Sequence, residues 1–136
     1  MNLDIVCYCT KSGVVPIKDF FQQYAYSEKI KELARIRAVI KITAERGGIA
    51  GGQYSSPLQD YDFQEMKIKE GENLVRILYF CYHEEKLVLL NALKKPNLYE
   101  KAKKNRVKKI IAKTHEETQL YYEDFINNPT NYEKFY

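Results

Sequence analysis

Between Tyr61 and Leu93 the chain carries three strand-like runs with very little chain between them, and this limits the folds open to it more than any other feature. The runs are Tyr61 to Lys69, Leu74 to Tyr82 and Lys86 to Leu93, separated by Glu70-Gly71-Glu72-Asn73 and by the region around His83-Glu84-Glu85. Connections this short cannot cross over a sheet, so neighbouring runs must pair antiparallel as a meander. The middle run is apolar at both parities except at Arg76, which predicts a central strand with both faces covered.

One further strand and three helices surround the meander. Leu3 to Thr10 alternates around Ile5, Cys7 and Cys9 and closes at the turn Lys11-Ser12-Gly13. Pro16 opens a short helix with Ile17, Phe20, Phe21 and Tyr24 on one stripe, since proline's fixed φ suits a first helical position. After Ser27 a second helix is expected, with Ile30, Leu33, Ile36, Val39 and Ile40 toward the core, ending at Gly47-Gly48. The glycines, serines and Pro57 between Arg46 and Asp60 read as a loop. Asn97 and Glu100 form a capping arrangement for a last helix, whose stripe of Val107, Ile110, Ile111, Thr114, Thr118, Tyr121, Tyr122 and Phe125 runs on to Asn127-Asn128-Pro129. A helix of about 30 residues reaches roughly 45 Å, longer than the sheet beneath it, so its far end is expected to project or fold back. A chain of 136 residues holds one core. The expected organisation is one domain over 1–128 and a tail over 129–136.

Several classes of protein are disfavoured. No apolar run approaches the roughly 20 residues of a membrane-spanning helix, and MNLDIVCYCT lacks the basic-then-apolar pattern of a signal peptide, so a soluble, cytoplasmic protein is expected. Cys7, Cys9 and Cys81 are odd in number and lie in strand-like runs, as reduced core thiols do. The C-x-C spacing of Cys7 and Cys9 is weak evidence for a metal, since the two share a face of one strand; His83 and His115 have no partner at metal-ligand spacing, and both read as solvated. There is no G-x-x-x-x-G-K motif to hold a nucleoside triphosphate. No metal or cofactor is expected.

The chemistry-bearing feature is a cation pair. If Gly71-Glu72 is the hairpin loop, Lys67 falls directly opposite Arg76 on one face of the sheet. Like charges so placed are destabilising unless an anion lies between them, or unless Glu65, two positions from Lys67, neutralises them in a surface ion network. Lys94 joins the pair if the second loop is Glu84-Glu85-Lys86, whereas a Glu84-Glu85 loop puts Leu93 opposite Arg76 and Lys94 on the other face. Beyond it, Lys95, Lys101, Lys104, Arg106 and Lys108 belong to a basic stretch from Lys94 to Lys113, followed by acidic Glu116 to Glu133, within a formal net charge of +4. Such cations suit phosphate contacts that are salt-dependent and blind to sequence, or form a solvated face. Of the 12 tyrosines, Tyr54 and Tyr61 flank the end of the glycine loop and are the best placed to stack on RNA bases.

In this order of elements the chain resembles the RelE/HigB superfamily of toxins, in particular its phage-derived RelE-like branch. The residues that carry the resemblance are Glu65-Met66-Lys67, similar to the family's E-L-R; Val75-Arg76-Ile77-Leu78-Tyr79-Phe80, similar to Y-R-V-L-Y; and Leu87 to Lys95, LVLLNALKK, similar to I-V-L-L-H-x-F-x-K-K. It covers about Leu3 to Lys113. The sequence departs from the pattern where Lys67 stands for arginine, where Leu93 replaces the aromatic, and where the Lys-Lys pair arrives one residue early.

The resemblance implies an α+β fold with a four-stranded antiparallel sheet, two N-terminal helices and, here, a long C-terminal helix. It implies a ribosome-dependent, metal-free mRNA endonuclease that inhibits translation. The implied partners are mRNA, the ribosome and a cognate helix-turn-helix, HigA-like antitoxin in a hetero-oligomer. Catalysis would fall to Lys67, Arg76 and Lys94, with Arg76 stabilising the phosphorane charge and Lys67 acting as base or as a second electrostatic clamp. Lys94 and Lys95 would hold backbone phosphate or ribosomal RNA. The acidic, tyrosine-rich end would contact the antitoxin or fold over the basic helix.

Overall fold

In a computed structural model, residues 2–26, 30–48, 55–58, 60–70, 73–96 and 101–135 are described. The elements run β1 (Asp4–Tyr8), α1 (Pro16–Tyr26), α2 (Ile30–Glu45), β2 (Ser55–Pro57), β3 (Gln64–Glu70), β4 (Asn73–Tyr82), β5 (Lys86–Pro96), α3 (Lys101–Asn127) and β6 (Tyr132–Lys134). The class is α+β, with both N-terminal helices and the long C-terminal helix present.

The sheet departs from the expected four antiparallel strands. It is mixed, with six strands among the described residues in the order β2-β3-β4-β5-β1-β6. β3, β4 and β5 form the antiparallel meander, but β1 lies parallel to β5, with Asp4 against Lys86 and Cys7 against Leu89. A parallel neighbour requires a long crossover. α1 and α2 lie in the long chain that separates β1 from β5, so this condition is met.

The other additions are short edge strands. β2 pairs with β3 inside the segment expected to be loop, and Pro57 is tolerated because an edge strand need not donate on its outer side. β6, in the segment expected as a tail, pairs antiparallel with β1. It is fastened further by Asn131 Nδ2, which donates to the Cys9 carbonyl at 2.8 Å, and by the Phe135 amide, which donates to the Ile5 carbonyl at 3.1 Å.

Alternation along the strands sorts side chains onto two faces, each with its own core. On one, Met66, Ile68, Val75, Ile77, Tyr79, Leu87 and Leu89 pack against Ile17 and Phe21 of α1 and Ile36, Val39 and Ile40 of α2. Cys7 belongs here, and burial first, then Glu133, pushes its thiol up to about 12, as expected of a core thiol. α2 ends in a double-bonded glycine cap: the Gly47 amide donates to Ala44 O, the Gly48 amide donates to Thr43 O, and both glycines have positive φ. The Gly48 carbonyl then accepts from Tyr79 Oη at 2.9 Å, tying the helix end to the central strand.

On the other face Val6, Tyr8, Phe63, Leu78, Phe80, Val88, Leu90 and Leu93 pack beneath α3. The far end of α3 does not project. Phe125 is fully buried against Phe80, Tyr82 and Tyr132, and Tyr8 Oη donates to Asp124 at 2.6 Å. In the basic first half, Asn105, Arg106, Lys108, Lys109 and Ile110 all face solvent. The capping pair Asn97 and Glu100 lies outside the described residues, as does Tyr54.

Candidate functional site

The hairpin register places the cation pair as expected. Ile68 pairs with Val75, Lys69 with Leu74, and Lys67 with Arg76. These two cations do not meet bare. Glu65 lies on the same face with one carboxylate oxygen for each: Arg76 Nη1 is 3.4 Å from Oε2, and Lys67 Nζ is 3.6 Å from Oε1. The neutralising role read for Glu65 therefore holds, but its setting differs from a surface network. Glu65 is 3% exposed, whereas the Lys67 side chain is 43% exposed and that of Arg76 15%. The arrangement is a covered carboxylate with one cation mostly covered beside it and another reaching solvent.

Lys94 does not join them. Tyr82 pairs with Lys86 across a His83-Glu84-Glu85 turn, in which His83 and Glu84 both take positive φ, and a bulge opposite Leu78 and Tyr79 then shifts the register by one residue. Leu93 therefore ends opposite Arg76, while Lys94 pairs with Val75 and belongs to the face of α1 and α2. There it borders a recess shared with Val14, Asp19 and Gln23. Lys95 pairs with Leu74.

The bulge has a second effect, because it turns Asn91 toward α3. Asn91 Nδ2 donates to Glu117 Oε1 and to Thr118 Oγ1, each at 3.2 Å, and its Oδ1 accepts from the Ala92 amide at 2.9 Å. Thr118 Oγ1 in turn donates to the Thr114 carbonyl at 2.6 Å. A buried amide with its bonds satisfied fixes α3 against the sheet at one rotation.

That rotation brings His115 to the ion cluster. The imidazole is 9% exposed and touches two rings edge-on, Tyr61 at 5.3 Å and Phe63 at 6.0 Å between centroids. Burial lowers its pKa below the usual 6.5; Glu65 opposes that shift and Arg76 adds to it. His115 is thus a covered, electrostatically coupled member of the cluster, not the solvated residue its sequence context suggested. The signal was in the stripe, since His115 falls four residues after Ile111 and three before Thr118, both of which face the sheet.

Two buried nitrogens here, Arg76 Nε and His115 Nε2, have no hydrogen-bond partner among the described residues. Such groups are rare in folded proteins and call for an explanation, such as a catalytic role or a bound water or ion. No group of three His, Cys, Asp or Glu side chains able to hold a metal ion occurs among the described residues.

Compared with known families, residues 25–115 match the family model described as phage derived protein Gp49-like (DUF891). The chain belongs to this Gp49-like family. The family is associated with RelE-like toxins of toxin-antitoxin systems. No curated protein matches the chain. In this Gp49-like chain the matched span contains Glu65, Lys67 and Arg76 and ends at His115, so the whole ion cluster lies within it. Most of α1, all of β1 and β6, and the anchored half of α3 lie outside it.

The remaining RNA-contact candidates of the Gp49-like chain fall in two places. Tyr61 is half-buried, stacked on Phe63 at 5.1 Å and covering His115, which puts it beside the cluster. Arg106 and Lys108 are exposed on the first half of α3, where the backbone of Lys101 and Lys104 also lies. Among the described residues no helix is long and apolar enough to cross a membrane.

Proposed function

We propose that this Gp49-like protein is the toxin of a toxin-antitoxin pair and a metal-independent endoribonuclease, cutting mRNA on the ribosome in the cytoplasm. The observation that carries the reading is the cluster itself: two cations directly opposite each other on a sheet, one mostly covered and one reaching solvent, with a covered guanidinium nitrogen that has no hydrogen-bond partner among the described residues. Like charges so placed favour an anion at their open side.

RNA supplies its own nucleophile, the 2′-hydroxyl, so the protein has to stabilise charge and move protons. Arg76 would bind the non-bridging phosphoryl oxygens as they gain charge in the transition state. Lys67, as an ammonium, would neutralise the oxygen that departs. Lys94 and Lys95 would hold flanking backbone phosphate or ribosomal RNA from the end of β5, apart from the reacting group. Arg106, Lys108 and the lysines before them would guide the basic edge onto RNA. A helix-turn-helix antitoxin would neutralise the toxin in a hetero-oligomer.

A second reading has its own observation: Glu65 already pairs with both cations, as it would in a protein that binds RNA without cutting it. The two are separated by mapping RNA ends after incubation of an mRNA with the protein, with and without translating ribosomes. New 5′-hydroxyl ends that require ribosomes and vanish in Arg76→Ala establish the endonuclease. Arrested translation with intact RNA establishes the binder.

A further inference from the structure

His115 raises a question of packing. A position enclosed by Tyr61, Phe63 and the sheet is served by leucine or phenylalanine without any polar atom to satisfy. The chain instead places an imidazole there, leaves its Nε2 covered and unpartnered among the described residues, and sets the ring where the charges of Glu65 and Arg76 are felt.

We propose that His115 is the general base of this site, its Nε2 taking the proton of the attacking 2′-hydroxyl while Arg76 holds the phosphoryl oxygens. The proposal rests on the endonuclease reading and adds to it a residue from α3, outside the meander motifs. In the step, the 2′-oxygen forms a bond to phosphorus and the bond from phosphorus to the 5′-oxygen breaks. The 2′-hydroxyl proton passes to Nε2, and the departing oxygen takes a proton from the Lys67 ammonium. The products are a 2′,3′-cyclic phosphate and a 5′-hydroxyl, and solvent returns both groups to their starting states.

The environment suits a base. The charged groups facing the ring come from the sheet, Glu65 on β3 and Arg76 on β4, while its neighbours on the same side of α3, Ile111 and Thr118, are uncharged. Burial and Arg76 keep the imidazole neutral at pH 7, with a lone pair able to accept a proton. Glu65 stabilises the imidazolium formed during the step. Tyr61 packs edge-on against the ring, so the step requires a nucleotide that draws Tyr61 into stacking on its base and opens this side of the imidazole.

The test is single-turnover cleavage of mRNA on programmed ribosomes between pH 5 and 8, for the native protein, His115→Gln and His115→Ala, each checked for folding by circular dichroism. The native rate is expected to rise with pH and level off at a midpoint below 6.5. His115→Gln is expected to cut about 100-fold more slowly with that limb gone, and added imidazole to restore part of the activity of His115→Ala. A folded His115→Gln protein that cuts at the native rate with the native pH limb overturns the assignment while leaving the endonuclease reading intact. Should the glutamine variant not fold, a native profile without a limb near the imidazole range, or no imidazole rescue of His115→Ala, overturns it. Absence of cleavage by the native protein at every pH overturns the endonuclease reading and the base with it.

Discussion

Glu65 is the residue on which stability and function separate. It is covered, and it depends on Arg76 and Lys67 for its charge compensation. Arg76→Met should cost about 3 kcal/mol, the low end for breaking a buried ion pair, because Lys67 remains. The double variant Glu65→Leu with Arg76→Met removes both charges of the covered pair and should recover most of that loss in urea denaturation, yet stay inactive in RNA end-mapping. Recovery of cleavage in the double variant would show that the pair is structural. His115 gives a second residue-scale prediction through its lowered pKa. The unfolded chain binds a proton near pH 6.5 that the folded chain resists, so stability is full above about 6.5 and falls as pH drops below it. In His115→Gln the melting temperature should decline less between pH 6.5 and 5, and an unchanged slope would mean that other groups dominate. Both residues also show where sequence reasoning stops. Lys67 opposite Arg76 was legible, because strand period and a two-residue loop fix register. The burial of Glu65 and His115 was not, because it depends on how α3 is rotated over the sheet, and Asn91 sets that rotation through a bulge.

At the scale of elements, the meander, α1, α2 and α3 were readable because each has a clean period of 2 or 3.6. The placement of β1 was not, since nothing within Asp4–Tyr8 records a partner some eighty positions away or its direction. The turn around His83-Glu84-Glu85 was legible but its register was not, for a local reason: it takes positive φ at two residues, and neither is glycine. With the bulge that follows, it moves Lys94 to the opposite face from Arg76. β6 was hidden by its length, because Tyr132–Lys134 is too short to show alternation. Its contribution is testable. Ending the chain after Pro129 would remove the antiparallel partner of β1, the Asn131 bond to Cys9 and the Phe135 packing on Phe21 at 5.7 Å between ring centroids. β1 would become an open edge strand, the kind of surface that pairs with other chains. The truncated protein should melt several degrees lower and elute partly as oligomers in size-exclusion chromatography. A monomer with native melting temperature would mean that β6 is dispensable to the sheet and serves a partner instead.

Across the whole molecule, charge is arranged against the helix that carries most of it. The first turn of α3 has no acidic residue and its last turn no basic one, so the lysines at its start and the acids toward its end both oppose the helix dipole. Each such charge costs about 0.3–1 kcal/mol near a terminus at low salt. The acidic half is fixed by bonds such as Tyr8 to Asp124, which give it a structural role. The basic half has exposed Arg106, Lys108 and Lys109 and is the better candidate for a phosphate-facing edge. If that edge meets single-stranded RNA, replacing Arg106 and Lys108 by glutamine should make the plot of log affinity against log salt less steep by about 1.4, or about 0.7 for each phosphate no longer neutralised. Cleavage in saturating ribosomes should change little, because neither residue belongs to the ion cluster. The same double variant should melt at about the native temperature, because both positions lie beyond the first turn of α3, where the dipole's effect has fallen off. A fluorescence-anisotropy titration of single-stranded RNA at several salt concentrations decides the matter. An unaltered slope would make these cations a solvated face and leave Lys94 and Lys95, at the end of β5, as the RNA edge.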